Sequence, residues 1–457
     1  MNIELDKPTS NGNYLIAITL SLCLFCIYNL NMRDSNSVDT LPSMLIPVSI
    51  LKYGDFNLNE FENLFNPMPD LWKAGFNFGA VQKSGDNIIS SYPVGAPLIA
   101  TPVYAAARIT GILEPTRWAT YRLTAKLAAS FIVAISAGVI FLCLASFSST
   151  ASALWLSVAY GLGTGAFSIA SQGMWQHGPG MLCLSLALLV VTRLDHKEYS
   201  PHRLAVAAGI FLALSVICRI LNVIPAIAVT AYMCVYHRKL LIGYLAPLGV
   251  FAIWLLQYNY TNFGNFSGGY DAILNSNWHK SRNLAETGLF HHPLLEGLPD
   301  TWISPSKGLL IYSPFLAFTF ALLFLKGYKH RRIVPFLYGW ITVASIIFAK
   351  NVLWWGGTSF GPRYFLEMSV AMIFLIGLAY HHLPKVAVYC LNSLIVLSIF
   401  IQTFGTFYAP CGWAEKPNFA DFHPERYWDW SDTEIARCAR IGLEQGPLPR
   451  QLSFDSL

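Results

Sequence analysis

The apolar residues of this chain gather into long runs, and polar stretches separate them. A helix needs about 20 apolar residues, within a range of about 17–25, to cross the hydrocarbon core of a bilayer. Runs of that order lie at 14–30, 122–146, 151–170, 178–193, 203–218, 220–236, 240–257, 309–326, 333–349, 364–381 and 385–407. They predict an all-α polytopic membrane protein, a bundle of about 11 transmembrane helices. Arg219 and Asn222 interrupt the pair between 203 and 236. No small-residue cleavage site follows 14–30, so that run reads as a retained first span.

Segment 94–113 is apolar and long enough to span, yet it carries Gly95, Pro97, Pro102 and Arg108. Charge parity arbitrates. The basic clusters at 193–203, 238–239, 326–332 and Lys385 occupy short loops, which favour the cytoplasmic side. If 94–113 spans and the N-terminus is inside, all of them fall outside. If it is a re-entrant or surface-lying hairpin, they fall inside together with the N-terminus. The second reading is adopted, because non-helical backbone is tolerated at that depth when protein covers it. A transmembrane domain, 1–408, then contains a long first extracytoplasmic loop (31–93) and the hairpin, and an extracytoplasmic C-terminal tail (409–457) follows. The first loop is too long for a plain connector and is expected to hold short helices near 41–51 and 58–65. The other polar stretches of that face are 171–178, 258–308 and 350–363, and no internal repeat is evident.

Composition fixes the class. Of 457 residues, 54% are hydrophobic and 12% charged, where a soluble domain carries about 25% charged residues. The net charge of +5 comes from basic residues between apolar runs, which are topology signals and not a nucleic-acid-binding stripe. Most cysteines lie in apolar runs, where Cys serves as a small hydrophobe. Cys411 and Cys438 lie in a polar region and can pair if it is extracytoplasmic.

Residues able to do chemistry cluster at span ends on that face. Arg33-Asp34-Ser35-Asn36-Ser37-Val38-Asp39-Thr40 offers carboxylates that a membrane interface can tune as bases; the plainer reading is an Asp capping the helix that starts near Leu41. Ser90-Ser91-Tyr92-Pro93-Val94-Gly95 presents Tyr92 to stack on a sugar ring, or simply breaks 94–113. Trp175-Gln176-His177-Gly178-Pro179 holds a His suited to phosphate binding or acid–base work, or an interfacial Trp anchor beside an incidental His. Lys307, in Ser304-Pro305-Ser306-Lys307-Gly308, can hold an anionic headgroup or snorkel. In Trp354-Trp355-Gly356-Gly357-Thr358-Ser359-Phe360-Gly361-Pro362-Arg363-Tyr364, glycines permit close backbone approach and Arg363 can grip phosphate oxygens with two donors. As a mere topological anchor, Arg363 would run against the usual charge bias. Arg219 and Asn222 are either functional groups at membrane depth or parts of a short connector. There is no phosphate-binding GxxxxGK[ST] loop, no GxGxxG after a strand and no HExxH.

In this order, the SxDT-like stretch, the Tyr92-Pro93 hairpin, WQHGP, SPSKGLLIYSP, WWGGTSFGPRY and the later RYWDW at 426–430 resemble bacterial membrane proteins of the GT-C glycosyltransferase superfamily, the protein O-mannosyltransferase-like group. The similarity runs from about residue 14 to about residue 440. The resemblance implies a GT-C-like bundle in the bacterial inner membrane, with the N-terminus cytoplasmic and the C-terminus extracytoplasmic. It implies a transferase, inverting, that moves a sugar from a polyprenyl-phosphate donor to a glycan, lipid or protein hydroxyl, with no nucleic-acid partner. An acidic residue of the first loop is the base in that group; Asp39 matches by position, and Asp34 is the fallback. Arg363, with Lys307, His177 and Arg219, would face the phosphate, and Tyr92, Trp175, Trp354 and Trp355 the sugar. Many relatives carry an acidic residue where this chain has His177, so no cofactor is expected to be required and a divalent metal is doubtful. The rival readings are a transporter or lipid flippase, for which the missing pseudo-symmetry is unfavourable, and an inactive scaffold of the same fold.

Overall fold

The computed structural model describes residues 11–35, 37–62, 79–113, 118–194, 199–274, 288–326 and 332–446. Every expected span has a helical counterpart. In chain order the main helices are α1 (Asn11–Asn29), α2 (Leu41–Tyr53), α3 (Gly95–Ile109), α4 (Trp118–Ala145), α5 (Thr150–Gly163), α6 (His177–Thr192), α7 (Pro201–Cys218), α8 (Val223–Tyr236), α9 (Leu241–Phe263), α10 (Leu294–Ile303), α11 (Val334–Lys350), α12 (Met368–Tyr380), α13 (Lys385–Tyr408) and α14 (Glu434–Gln445). Asn11–Asn29, Trp118–Ala145, Pro201–Cys218, Arg238–Phe263 and Lys385–Tyr408 are long and apolar enough to cross a membrane. The chain is a polytopic helical membrane protein.

The bundle is organised around α12. That helix is apolar on every side, and all its residues from Met368 to Ala379 are buried, as expected of a helix with no solvent or lipid face. Gly377 lets Leu144 of α4 come close; an added Cβ would meet the Leu144 side chain at 2.5 Å. At the other extreme, α9 buries only Tyr244, and its apolar surface is left for lipid.

Three expected spans are not uniform helices. After Leu309–Tyr312, the break at Ser313-Pro314 converts the segment to a 3-10 helix over Pro314–Leu323, because Pro lacks the amide that would continue the α-helical ladder. α5 ends at Gly163 and a π-turn follows over Ala166–Ala170. A 3-10 turn, Arg363–Phe365, precedes α12.

Segment 94–113 requires a correction: it is one helix, α3, and not a hairpin. Pro97 lies in the first turn, where amides have no helical acceptor in any case, so it does not break the helix; Pro102 removes a single interior bond. At 15 residues, α3 is roughly 22 Å long, short of a hydrocarbon core of about 30 Å. It buries Ala96, Ala100, Tyr104 and Ala107, and Tyr104 Oη donates to Met44 O of α2 at 2.9 Å. The expected helix near 41–51 is α2. Of the one near 58–65, a 3-10 turn at Asn59–Phe61 is seen, and 63–65 lie outside the described residues. Before α3, a two-stranded antiparallel hairpin, β1 (Val81–Ser84) and β2 (Asn87–Ser90), departs from the all-α expectation.

The C-terminal segment is also more than a tail. Residues 409–446 fold into a cap with its own core of Trp413, Tyr427, Cys411 and Cys438 packed on Trp354 and Trp355. Cys411 and Cys438 are disulfide-bonded. Arg426 donates to Trp413 O at 2.6 Å and lies over the Trp413 ring. The helix of the cap, α14, packs on α13, with the Tyr408 ring against Gly442.

Candidate active site

The first loop, the glycine loop before α12 and the cap converge on a cavity of about 1690 Å³. Its wall is mixed. Arg33, Asp34, Asp39, Arg122, Arg219 and Arg363 contribute charge and His177 an imidazole, while Leu255, Leu256, Ile273, Phe290, Ile347 and Phe348 contribute an apolar side.

Asp39 sits in a 3-10 turn, Val38–Thr40, directly ahead of α2. It is not a cap: its Oδ1 accepts from Tyr92 Oη at 2.8 Å and its Oδ2 from Arg363 Nη1 at 3.1 Å. The β1–β2 hairpin delivers Tyr92, whose amide donates to Ser90 Oγ at 3.1 Å. Burial, and then the adjoining Asp39 carboxylate, push the Tyr92 phenol well above its usual range, so it stays a donor. Arg363 comes from a loop in which Gly356, Gly357 and Gly361 all have positive φ, a conformation other residues adopt only under strain. Its guanidinium lies 4.9 Å from the Trp175 ring centre. Burial works to lower its pKa, but Asp39, Tyr364 and Tyr92 outweigh that and hold it charged.

Behind this pair lies a second acid–base group. Glu367 Oε1 and Oε2 are each 3.0 Å from His177 Nδ1, and Oε2 accepts from Arg219 Nη1 at 2.8 Å. All three residues are buried. Arg219 reaches this position because the chain is extended at the α7 end before a short 3-10 turn, Ile220–Asn222.

The other candidates divide. Asp34 is bound through both oxygens by Arg122, from Nε at 2.9 Å and from Nη2. Arg33 donates from Nη2 to Ala409 O at 3.4 Å. Trp355 lines the cavity, with Nε1 donating to Asp421 Oδ1 at 2.6 Å. Trp354 is not on the wall; it packs edge-on against Trp355 and Tyr427. Lys307 is not on the wall either, which corrects its expected place. Its ammonium is buried against Ser359 O and Glu434 Oε2, and burial pulls its pKa down against the pull of Glu434.

Sequence reasoning missed Glu367, Glu434, Arg122 and Arg33. Glu367 carried a signal, since an acid four residues after Arg363 inside an apolar run is costly without a partner. Glu434 had none, because nothing in the sequence ties the polar C-terminal segment to the 359–361 loop. Among the described residues, no three His, Cys, Asp or Glu side chains converge, and Asp34 and Asp39 are each paired with an arginine.

These features define a polytopic membrane protein with a charged, half-apolar cavity where its long loops meet. The fold is one that solved structures share. It is shared with ArnT from Cupriavidus metallidurans in the apo state, at TM-score 0.50 and 12% identity over 90% of this chain and 66% of that one. It is shared also with ArnT from Cupriavidus metallidurans bound to undecaprenyl phosphate, at TM-score 0.53 and 13% identity over 95% and 78%. The chain thus spans about two thirds of the length of the first. No family model and no curated protein matches it.

Proposed function

We propose that this protein is a membrane glycosyltransferase that moves a sugar from a polyprenyl-phosphate donor to an acceptor hydroxyl on the extracytoplasmic face, with inversion and with Asp39 as general base. The observation that carries the reading is the meeting of Asp39 and Arg363, 324 positions apart in sequence, at a cavity that is charged on one side and apolar on another. An ArnT structure of the same fold was solved with undecaprenyl phosphate, and an apolar wall suits such a tail. The Cys411–Cys438 disulfide favours an oxidising compartment for the cap, in keeping with a cytoplasmic N-terminus and an extracytoplasmic C-terminus.

The chemistry follows from the contacts. Asp39 takes the proton of the acceptor hydroxyl as that oxygen bonds to the anomeric carbon. The bond from that carbon to the phosphate oxygen breaks on the opposite face, and its electron pair leaves with the lipid phosphate. Arg363 stabilises the charge that develops there. Because Arg363 rests on Asp39, an arriving phosphate competes for the guanidinium and loosens the carboxylate for its role as base. Arg219, a further positive group, and His177, both held by Glu367, face the same cavity, while Tyr92, Trp175 and Trp355 offer rings to the sugar. The acceptor is a glycan, lipid or protein hydroxyl.

The test is to incubate the purified protein with a panel of polyprenyl-phosphate sugars and a mixed acceptor fraction, then measure release of the lipid phosphate. Release from at least one donor, dependent on acceptor, is expected. No release across hexose and pentose donors would reject the transferase reading.

A further inference from the structure

The Arg363 loop poses a physical problem. Three glycines at positive φ allow it many conformations, yet Arg363 must meet Asp39 across the cavity. What holds the loop lies in the C-terminal cap. Glu434, the first residue of α14, is buried, as are Lys307 and Tyr312. One of its oxygens, Oε2, accepts from Tyr312 Oη at 2.7 Å, from Gly361 N at 3.1 Å and from Lys307 Nζ at 3.2 Å. Lys307 Nζ also donates to Ser359 O. The backbone is therefore held at 359 and at 361, two residues before Arg363. Gly361 fits because it lacks a Cβ, which would stand 2.6 Å from the Tyr312 ring.

Glu434 is itself anchored. Thr433 Oγ1 accepts from Ala436 N at 3.1 Å and caps the helix, and the disulfide from Cys438 to Cys411 ties that helix to the end of α13. The cap touches the cavity wall beside the loop it holds.

We infer that Glu434 is a positioning residue for Arg363: with Lys307 and Tyr312 as its partners, it fixes the glycine loop, so the C-terminal cap is part of the active unit. Lys307 thereby acts on the loop and not on the phosphate. The inference rests on the transferase reading for its kinetic readout, but its structural readout is independent of that reading.

The experiment uses the full chain in detergent or nanodiscs with Glu434→Gln, which keeps the side-chain length and removes the charge opposite Lys307, and Glu434→Asp. Hydrogen exchange across 356–363 is measured together with donor KM, kcat and thermal unfolding. In Glu434→Gln, the expected result is at least tenfold faster exchange in that loop, with exchange of α12 and α13 unchanged. Donor KM rises severalfold or kcat falls about tenfold, and Glu434→Asp lies between the two. Wild-type exchange at 356–363 in Glu434→Gln overturns the inference. So does a loss of stability spread evenly over the molecule, which would mark Glu434 as a structural residue only. If the wild type transfers from no donor, the transferase reading fails, while the exchange result still decides what Glu434 holds.

Discussion

Of the acid–arginine contacts that border the cavity, two differ sharply in what surrounds them. In the Asp39–Arg363 pair the side chains are 36% and 17% exposed. In the Glu367–Arg219 pair they are 4% and 6% exposed, and His177 adds a third member at 3%. An open pair is screened and worth about 0–1 kcal/mol, so its members can change partners as a ligand arrives. A buried pair cannot, because withdrawing one member strands the other's charge in a low-dielectric interior. The first pair is built to be exchanged and the second to stay. Under the proposed function, that separates a site for chemistry from the frame that aims it, although both consist of the same residue types.

The sharpest way to break this comparison is to remove the charge from each acid in turn. For Asp39→Asn, acceptor-dependent release of lipid phosphate should fall by about 10²–10⁴-fold, the range for losing a general base. The unfolding midpoint should barely move, since the pair itself contributes about 0–1 kcal/mol. Turnover like that of the wild type would remove Asp39 as the base. Glu367→Gln should do the reverse. It leaves Arg219 buried without its counter-charge, at a cost of about 3–5 kcal/mol, read as a large drop in thermal stability in detergent. A variant as stable as the wild type would show that the triad is not the frame it is taken to be here.

The sequence made the spans legible because lipid leaves one solution for the backbone: long apolar helices whose amides bond internally. Parity assigned Asp39, Arg363, Tyr92 and Trp175 to loops of one face, and all four line the cavity. Local geometry was less legible. The Pro-containing segment at 94–113 read as a hairpin, but Pro97 at a first turn and a single interior Pro102 leave a helix intact. The partners of each charge were not legible at all. That Lys307 would turn away to Glu434, and that Asp34 would be held by Arg122, depends on contacts between segments 127 and 88 positions apart. No spacing rule reaches that far.

Arg33 extends the comparison to a third case. Arg122, Arg219 and Arg363 each rest on a carboxylate. Arg33 lines the same cavity and is 7% exposed, yet among the described residues its guanidinium has only the 3.4 Å bond to Ala409 O. An anion reaching Arg33 breaks no ion pair, whereas one reaching Arg363 must displace Asp39. Hydrogen bonds to a charged group contribute about 1.5–3 kcal/mol, so Arg33→Gln should weaken equilibrium binding of a polyprenyl phosphate by roughly tenfold. Its unfolding midpoint should stay at the wild-type value, because so long a bond holds little together. Arg33→Lys, which keeps the charge but not the two-pronged donor, should fall between. Unchanged affinity in Arg33→Gln would mean that the anion is met by the committed arginines alone, and the exchange at Asp39–Arg363 would then have to carry the whole of phosphate recognition.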